Sequence, residues 1–431
     1  MARIVLPLQQ AEETRMEKSF QVIVVGGGFA GVAAVKELAR LGISTLLIDR
    51  NNYHQFQPLL YQVATAQIGV SEVTHTFREM FRKDRSVKVL TAAVTSVDTS
   101  AHTVTTSDGS TYSAQVLVLA SGAEANFFDT PGAREHAYPL YSVGDAVKLG
   151  NAFIEHLDAA QREEHPDGLH VVVVGGGPTG VETAGAVAEN LKYVIPRYFS
   201  PHIAAMSTVH LVDMVPSVLG PFSDRSKEYA TARLRKIGVR LKMGSGVTDV
   251  RPDGVTLADG TELPAQVVVW AGGLKAGPLI TDSGLPTGRG GRIDVNPDLT
   301  APGAERVYVL GDAANMTDAR GDKLPQLGSC AQQAGKWAAR NINADLTGMS
   351  RRPFEYSDKG YMAMIGRGAA VAELGRRRFE LKGPPAFLAW LGVHLVLLSG
   401  KRQRVGALLS WIADFLSHSR SHVVLELHDP R

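Results

Sequence analysis

The residues of this sequence with the clearest chemistry are glycines and acids at fixed spacing. Gly26, Gly28 and Gly31 form the pattern G-x-G-x-x-G directly after a run of β-branched residues. In a strand-turn-helix unit the first glycine permits a tight turn, the second lets the backbone approach a pyrophosphate, and the third allows close packing of helix on strand. Asp49 ends the next predicted strand 18 residues after Gly31, where an acid would hydrogen-bond a ribose hydroxyl. The segment therefore predicts a dinucleotide site.

The same plan occurs again 149 residues later. Gly175, Gly177 and Gly180 follow the run VVVV, and Asp213 ends a predicted strand 33 residues after Gly180. A carboxylate there would accept the ribose hydroxyls and repel a 2′-phosphate, which favours NADH over NADPH. A helix-capping or solvated Asp213 is the alternative. Two dinucleotide folds in one chain favour a flavin dinucleotide paired with a nicotinamide dinucleotide.

The elements around the two glycine patterns also repeat. Each pattern is followed by a predicted hairpin, with turns at Asp108 and Asp259, and then by an apolar strand that ends in small residues. A further strand, Val307 to Asp312, ends in Gly-Asp, and this acid can bond the ribityl or pyrophosphate portion of a flavin. Because that strand returns the chain to the first domain, we predict an α/β fold with two Rossmann-like dinucleotide-binding domains, the NAD domain inserted in the FAD domain.

These repeats set the predicted domain boundaries. Residues 1–18 form an N-terminal leader, residues 19–143 and 290–348 the FAD-binding domain, and residues 144–289 the NADH-binding domain. Residues 349–431 form a C-terminal amphipathic helical region for membrane-surface contact or dimerisation. The leader shows no secretory signal. The longest apolar run, Ala386 to Leu398, is too short for a bilayer, which needs about 20 residues.

Composition excludes several classes of protein. The chain has 431 residues, of which 44% are hydrophobic and 20% charged, an ordinary balance for a globular protein of two or three domains. A formal net charge of +2 gives no reason to expect a nucleic-acid partner. Cys330 is the single cysteine, which excludes an intrachain disulfide and a dithiol redox centre. We assign no metal site.

The C-terminal region concentrates positive charge beside apolar helices. From Lys359 to Arg404 there are nine Lys or Arg residues against two acids. Two short apolar helices are predicted, and Trp390 and Trp411 flank the basic KRQR between them. In the second helix the apolar residues that recur on one face are Val405, Leu408, Leu409, Ile412, Phe415 and Leu416. Such helices suit an anionic membrane surface, and packing on the core or on a second copy as a homodimer is the alternative.

Several segments together resemble one family. They are the two glycine patterns, DRNNYHQFQPLLYQVATAQI, VYVLGDAAN and GVHLVLLSGKRQR. These look like the type II NADH dehydrogenases, which are single-chain, non-proton-pumping NADH:quinone oxidoreductases carrying FAD. The resemblance runs from about Phe20 to Arg420. It implies FAD and NADH as cofactors and a quinone-like acceptor as partner.

The resemblance also implies cofactor contacts residue by residue. For FAD they are Gly26, Gly28, Phe29, Ala30, Gly31, Asp49, Arg50, Val94, Ala120, Ser121, Gly122, Asp312, Cys330 and Ala331. For NADH they are Gly175, Gly177, Pro178, Thr179, Gly180, Glu182, Asp213 and Gly272. Cys330 is equally well explained as a packed thiol.

Three residues are the predicted catalytic set. Glu182 matches a family glutamate near the nicotinamide and the quinone; two residues into its predicted helix, it also suits a purely structural role at the positive helix end. Lys359 matches a family lysine close to the flavin, with a solvated lysine as the alternative. The family carries two glutamines in the segment that corresponds to LPQLGSCAQQAG. Only the second, Gln333, is retained here, and Ser329 stands where the first, the quinone-pocket glutamine, is expected.

The predicted reaction is hydride transfer from NADH to FAD, followed by passage of two electrons to a quinone. The alternative is a soluble NADH-dependent flavoprotein reductase with a non-respiratory acceptor, either a small molecule or an electron-transfer protein. A third candidate, from a different functional class, is a nucleotide-sensing or interaction protein that binds FAD and NADH with little turnover. The predicted location is peripheral, on the cytoplasmic side of the cell membrane, or cytoplasmic if the C-terminal region is only a packing element.

Overall fold

The computed structural model describes residues 18–162, 167–318 and 320–417. The predicted leader therefore lies outside the described residues, apart from residue 18. The described chain divides into two compact units. Unit one comprises residues 18–54, 77–123 and 276–356, and unit two comprises residues 55–76, 124–275 and 357–417. These limits differ from the predicted boundaries, because the C-terminal region groups with the second glycine pattern.

Unit one is built on a mixed sheet. Its strands, in spatial order, are Val87–Thr91, Thr45–Asp49, Ser19–Val25, Thr111–Leu119, Thr103–Thr106 and Val94–Asp98. The first four run parallel, and Val307–Val309 pairs in parallel with Thr111–Leu119. The last three are antiparallel, and two of them, Thr103–Thr106 and Thr111–Leu119, form the predicted hairpin. Because the parallel strands are buried on both faces, they read as continuous β-branched and leucine runs.

Helices cover the sheet of unit one. Its helices and 3₁₀ turns are Phe29–Arg40, Phe77–Met80, Pro278–Thr281, Arg289–Gly291, Gly311–Ala313 and Gly328–Thr347, and Ile293–Asp294 pairs in parallel with Ala314–Asn315. Phe29–Arg40 and Gly328–Thr347 pack directly on one another. A Cβ on Gly335 would lie 2.1 Å from the carbonyl oxygen of Ala30, so glycine is needed for this close approach.

Unit two contains a second parallel sheet. In spatial order its strands are Ala137–Pro139, Val267–Trp270, His170–Val174, Thr208–Asp213 and Val239–Met243. Beside it lies an antiparallel meander of Val247–Arg251, Gly254–Leu257 and Glu262–Pro264, which contains the second predicted hairpin. The two dinucleotide-binding folds predicted from the repeated glycine patterns are therefore both present.

The helices of unit two include one π-helix. They are Leu60–Ala64, Val70–Val73, Ala133–His136, Val143–Gln161, Pro178–Glu189, Asn190–Val194 (π), Ile195–Tyr198, Pro201–Met206 and Asp224–Ile237, with a 3₁₀ turn at Gln57–Leu59. Short strands at Tyr53–Gln55, Thr74–Thr76, Ala123–Ala125 and Leu274–Ala276 lie where the chain passes between units.

The C-terminal region is more than a helical tail. It begins with an antiparallel sheet, the C-terminal sheet, made of Gly360–Gly366, Ala369–Leu374 and Phe379–Gly383. Two helices follow, the first C-terminal helix Pro384–Leu397 and the second C-terminal helix Lys401–Ser417. Among the described residues, no helix is both long and apolar enough to span a membrane.

One predicted strand is shorter than expected. The predicted strand from Val307 to Asp312 ends at Val309, because Gly311 turns the chain at φ +66° into a single 3₁₀ turn. Asp312 lies in that turn rather than in the sheet.

Candidate functional site

The first glycine loop, Gly26 to Gly31, joins the central strand of unit one to the helix Phe29–Arg40. Gly26 has φ +99°, and a Cβ there would lie 2.3 Å from the carbonyl oxygen of Ala120. A Cβ on Gly31 would lie 1.9 Å from the carbonyl oxygen of Gly26. Only glycine fits at both positions, so strand, loop and helix pack as closely as the sequence pattern predicts.

Gly28 meets a different environment from the other two glycines. A Cβ at this position would have no atom within 4 Å. Gly28 is also the N-cap of the helix, which has no side-chain cap and no acid in its first turn. The helix N-terminal amides thus face open space, and this is the arrangement that accepts a pyrophosphate. The loop therefore fits the FAD predicted for it.

Asp49 anchors the first glycine loop. Its Oδ2 accepts a hydrogen bond from the Gly27 N–H at 2.6 Å, and its Oδ1 accepts one from the Asn51 N–H at 2.7 Å. Burial raises the pKa of this carboxyl above its usual value, and the two hydrogen bonds oppose that effect. A carboxylate has about four lone-pair sites, so sites remain for a ribose hydroxyl.

His54 was not among the predicted site residues, although it supports the same loop. Its Nδ1 lies 2.9 Å from the carbonyl oxygen of Gly27. Its ring packs edge-on against Phe29, with centroids 5.4 Å apart. The sequence offered one signal, because His54 lies five residues after Asp49 within a segment specific to the resembled family.

The other residues predicted for FAD lie at several places in unit one. Ala120, Ser121 and Gly122 follow the strand Thr111–Leu119, whose end touches Gly26. Arg50 is exposed, and Val94 is half-buried at the start of a strand. These positions do not test the predicted contacts, which stay predictions.

Cys330 lies inside unit one. It is buried, with Ala331, near the start of the helix Gly328–Thr347 and belongs to the main apolar core. Burial raises the pKa of the thiol to about 12. A thiol with this pKa is not a nucleophile at neutral pH.

The second glycine loop, Gly175 to Gly180, repeats this geometry in unit two. Gly175 has φ +108°, and a Cβ there would lie 2.4 Å from the carbonyl oxygen of Ala271. A Cβ on Gly180 would lie 1.8 Å from the carbonyl oxygen of Gly175, whereas one on Gly177 would have no atom within 4 Å. Pro178 begins the following helix, which again has no acid in its first turn. This loop fits a second dinucleotide.

Asp213 holds the second loop as Asp49 holds the first. It ends the strand Thr208–Asp213, as predicted, and its Oδ2 accepts a hydrogen bond from the Gly176 N–H at 2.5 Å. Its Oδ1 accepts one from the Val215 N–H at 3.1 Å. The alternatives of a helix cap or a solvated acid do not describe this carboxylate. Thr179 and Gly272 are exposed near the loop.

Glu182 lies one turn into the helix Pro178–Glu189, which we call the Glu182 helix. The sequence predicted that Glu182 lies two residues into this helix; that position is wrong, because the helix begins at Pro178 and has no acid in its first turn. The structural role at the positive helix end is therefore also wrong. The dipole effect falls off within the first turn.

The Glu182 carboxyl is buried against the C-terminal region. Its Oε1 accepts hydrogen bonds from the Met364 N–H at 3.0 Å and from the Trp390 Nε1–H at 3.1 Å. A Cβ on Gly185 would lie 2.1 Å from the carbonyl oxygen of Ile365, so the helix rests directly on the C-terminal sheet. Burial raises the pKa of Glu182 to about 8, and the two hydrogen bonds oppose this only in part. The carboxyl is mostly protonated at neutral pH.

A second chain of buried polar groups lies beside Met364. Trp411 donates through Nε1 to Gln62 Oε1 at 2.8 Å, and Gln62 Nε2 donates to the Tyr61 hydroxyl at 3.0 Å. The Tyr61 hydroxyl donates to Met364 Sδ at 3.5 Å. Both C-terminal tryptophans are therefore buried donors rather than surface residues flanking the basic segment. Trp411 and Gln62 are 349 residues apart in sequence, and Tyr61 and Met364 are 303 apart, so no local pattern signals these two contacts.

With this geometry established, the chain can be compared with known proteins. The pyridine nucleotide-disulphide oxidoreductase family matches residues 20–335. The chain is 36% identical over 435 residues to the type II NADH:quinone oxidoreductase Ndh of Mycobacterium tuberculosis, covering 97% of this chain and 92% of that protein. It is 33% identical over 440 residues to NdhA of the same organism, with the same coverage. The chain belongs to the type II NADH:quinone oxidoreductase family.

A solved structure supports the fold of this family member. The structure of NDH2 from Plasmodium falciparum in complex with NADH has a TM-score of 0.86 at 19% identity and covers 94% of this chain and 100% of that one. The family resemblance and the fold class expected from the glycine patterns are both confirmed.

Two residues discussed for the predicted quinone pocket lie on the helix Gly328–Thr347, and their role stays a prediction. Ser329, at the position of the expected first glutamine, has its hydroxyl 3.3 Å from the Tyr356 hydroxyl. Gln333 is half-buried one helical turn later and donates through Nε2 to the Ser329 carbonyl oxygen at 3.2 Å. Lys359 is exposed and immediately precedes the C-terminal sheet in unit two. Gln333 belongs to unit one, and Glu182 and Lys359 to unit two.

Unit two of this family member also contains a partly open apolar cavity of about 410 Å³. The cavity lies among the helices Leu60–Ala64, Val143–Gln161 and Asn190–Val194, and none of the predicted site residues lines it. Val187, which does, follows Glu182 by five residues and so points about 140° away around the helix. The cavity is therefore on a different side of the Glu182 helix from the carboxyl.

Proposed function

We propose that this chain transfers hydride from NADH to FAD and then passes two electrons to a quinone, without pumping protons. The observation that carries the proposal is the doubled glycine loop. Each loop has an open helix N-terminus and an anchoring aspartate, within a chain that belongs to the type II NADH:quinone oxidoreductase family. One chain thus offers two dinucleotide sites, as a reaction between two dinucleotides requires.

FAD and NADH are the cofactors. When bound, FAD supplies the redox chemistry, accepting two electrons as hydride and giving them up to the acceptor. The first glycine loop binds the FAD pyrophosphate and Asp49 its ribose; the second glycine loop and Asp213 do the same for NADH. The protein's task is to hold these groups, exclude water and deliver protons.

We assign a role to each of the three residues that the family resemblance implies are catalytic. Quinone reduction consumes two protons, and the buried Glu182 carboxyl carries one at neutral pH because burial raises its pKa to about 8. Lys359 supplies a cation for the anionic reduced flavin or the quinol oxygen. Gln333 supplies an amide donor to the quinone.

A second acceptor class has one observation in its favour. Ser329 replaces the glutamine that family members place in the quinone pocket, and its hydroxyl is already 3.3 Å from Tyr356. A small molecule or an electron-transfer protein could then replace the quinone.

Stopped-flow kinetics test both acceptors. NADH should bleach the flavin absorbance without an acceptor, and reoxidation should be fast with menaquinone or ubiquinone and slow with ferredoxin or a soluble dye. The reverse order would favour the second acceptor class, and a flavin that NADH does not bleach would refute the proposal. Glu182→Gln should retain FAD and lose turnover.

We further propose that the second C-terminal helix lies on an anionic membrane on the cytoplasmic side. Its apolar residues Val405, Leu408, Leu409, Ile412, Phe415 and Leu416 have exposed fractions between 42% and 76%, with Lys401 and Arg402 exposed beside them. Such a face would be covered by lipid or by a second copy in a homodimer.

Vesicle sedimentation separates these two coverings. The double variant Leu409→Asp, Leu416→Asp should release the protein from anionic vesicles. Met349→Asp, which charges an apolar side chain 60% exposed in unit one, is the control and should bind as the wild type does. Loss of a dimer in light scattering, with vesicle binding unchanged, would instead assign the face to a second copy.

A further inference from the structure

Trp390 makes a contact that no other tryptophan of this chain makes. Its side chain is wholly buried, and its Nε1–H donates to an ionisable group, the Glu182 carboxyl. The chain has four tryptophans. The indole N–H groups of the other three donate to neutral oxygens, namely Asn126 O for Trp270, Arg352 O for Trp337 and Gln62 Oε1 for Trp411.

The indole of Trp390 is held on one face by a histidine ring. His394, one turn later in the first C-terminal helix, stacks on it with ring centroids 3.8 Å apart and an interplanar angle of 20°. His394 Nδ1 lies 2.8 Å from the Trp390 carbonyl oxygen, and Phe56 meets the imidazole edge-on. Burial lowers the pKa of His394 to about 4, so this platform is neutral at physiological pH.

The two donors also distinguish the oxygens of Glu182. Both the Met364 N–H and the Trp390 Nε1–H donate to Oε1. In the protonated acid the oxygen that accepts both hydrogen bonds is the carbonyl oxygen, which places the proton on Oε2. The contact with Trp390 therefore fixes both the position of the carboxyl and which of its oxygens is the acid.

We propose that Trp390 is a positioning residue that orients the Glu182 carboxyl for proton delivery, with His394 as its neutral platform. This inference rests on the proposed function, in which Glu182 is a proton donor. The same helix presents Leu388 and Val396, 66% and 68% exposed, on its outer side. On its buried side the first C-terminal helix presents Ala386, Trp390 and His394. One helix therefore carries both an exposed apolar face and the residue that contacts the Glu182 carboxyl.

Among the described residues, His394 and Tyr61 are titratable groups that contact the two hydrogen-bond donors to Glu182. His394, which is neutral, stacks on Trp390, and the Tyr61 hydroxyl donates to Met364 Sδ. Desolvation is the largest cause of the raised pKa of Glu182, opposed by the donors from Met364 and Trp390. Removing the Trp390 donor should therefore raise the pKa of Glu182 further.

Nuclear magnetic resonance of the holoenzyme labelled with ¹⁵N in its indole rings tests the contact without any turnover. Four indole cross-peaks are expected, assigned by single Trp→Phe variants. The Trp390 peak should move with pH with a midpoint near 8, and this movement should vanish in Glu182→Gln. The Trp337 peak, whose partner is the Arg352 carbonyl oxygen, is the internal control. A Trp390 peak that does not move would overturn the proposal.

Trp390→Phe tests the consequence for the reaction. Phenylalanine keeps a ring against His394 and removes only the N–H donor. The basic limb of the turnover profile should move up by about one pH unit, the size expected for a lost hydrogen bond to a carboxylate. Trp337→Phe, which removes an indole N–H that donates to the Arg352 carbonyl oxygen, is the matched control and should leave the midpoint in place. Equal loss of turnover in both variants at an unchanged midpoint would show a merely structural role.

If Trp390→Phe is inactive, the pH dependence of the free energy of unfolding tests whether Trp390 acts on Glu182. The folded-state pKa of Glu182 is raised from 4.5 to about 8, so its stabilising effect is complete below 4.5 and is lost as pH rises to 8. Glu182→Gln should remove this loss, and Trp390→Phe should extend it to higher pH. These readouts involve no electron acceptor, so they can fail while stopped-flow reoxidation by quinone succeeds, and the reverse.

Discussion

In the first glycine loop a Cβ on Gly27 would lie 2.1 Å from the ring of Phe77, whereas in the second loop a Cβ on Gly176 would lie 3.1 Å from the Asp213 carboxylate. In other respects the loops are alike, because each follows a strand, begins a helix and is anchored by an aspartate. The first is enclosed by core side chains, and His54 also bonds it. The second is bounded at this point by the carboxylate of Asp213, which also accepts the Gly176 N–H. One sequence pattern therefore produces a loop that is enclosed at its second residue and one that is more adaptable there.

This difference suits two nucleotides with different tasks. A cofactor that stays bound through many turnovers requires slow dissociation, which an enclosed site provides. A nucleotide that enters and leaves on every turnover requires a site that opens easily. We infer that FAD occupies the enclosed first loop as a resident group and that NADH exchanges at the second. The glycine positions allow each part of this comparison to be tested.

The largest effect should come from the first glycine of either loop. Gly26→Ala places a Cβ on a residue with φ +99°, 2.3 Å from the Ala120 carbonyl oxygen. Gly175→Ala places a Cβ on a residue with φ +108°, 2.4 Å from the Ala271 carbonyl oxygen. Each should cost about 3 kcal/mol or more of unfolding free energy, measured by denaturant titration. Similar losses would show that the loops are architecturally equivalent at this position, and a stable Gly26→Ala would contradict the described geometry.

The second residue of each loop should separate the two sites. Gly27→Ala forces the Phe77 ring to move and should cost about 1–3 kcal/mol, as overpacking does. Gly176→Ala requires the Asp213 side chain to shift by only a few tenths of an ångström and should cost less than about 1 kcal/mol. The measurement is the free energy of unfolding of the two variants without added nucleotide. Equal costs would remove the distinction between an enclosed and an adaptable loop.

The glycine loops could be predicted from sequence because all their determinants are local. Strand, turn, helix and acid lie within some 40 residues of one another, and the requirement for glycine at Gly26 and Gly31 follows from sterics that any such turn shares. The two hairpins were predictable for the same reason, since Asp-Gly turns specify them.

The surroundings of Glu182 could not be predicted, because they depend on distant contacts. Trp390 is 208 residues from Glu182 in sequence, and Trp411 is 349 residues from Gln62. The basic run near Arg376 suggested a charged tail, whereas it lies in the turn between two strands of the C-terminal sheet. Charge patterning identifies a solvated segment but does not identify the sheet that presents it.

The third residue of each loop should change nucleotide binding more than stability. Gly28 and Gly177 have negative φ and open space at Cβ, so alanine fits the nucleotide-free protein but fills the place of a pyrophosphate. Gly28→Ala should lower FAD affinity at least about tenfold, seen as lost flavin absorbance after gel filtration. Gly177→Ala should retain FAD and raise the KM for NADH by a similar factor.

The results for Gly28→Ala and Gly177→Ala test which nucleotide each loop binds. Reduced FAD content in Gly177→Ala, with a normal KM for NADH in Gly28→Ala, would exchange the two assignments. Unchanged binding in both would mean that neither helix N-terminus contacts a pyrophosphate. Because alanine is a poorer N-cap than glycine by about 1 kcal/mol, the free energy of unfolding is measured for both variants, and nucleotide binding is compared where each is fully folded.

The smallest effect should come from Asp213→Ser, which tests whether the aspartate that anchors the second loop also selects NADH over NADPH. Serine lacks the charge that repels a 2′-phosphate, so the ratio of kcat/KM for NADPH to that for NADH should rise about tenfold, or 1.4 kcal/mol. Asp253→Ser, which removes a carboxylate 85% exposed in the same unit, is the control. Since Asp213 also accepts the Gly176 N–H at 2.5 Å, some stability should be lost as well. If stability falls and the ratio does not change, Asp213 is only an anchor of its loop, and NADH preference must come from other residues.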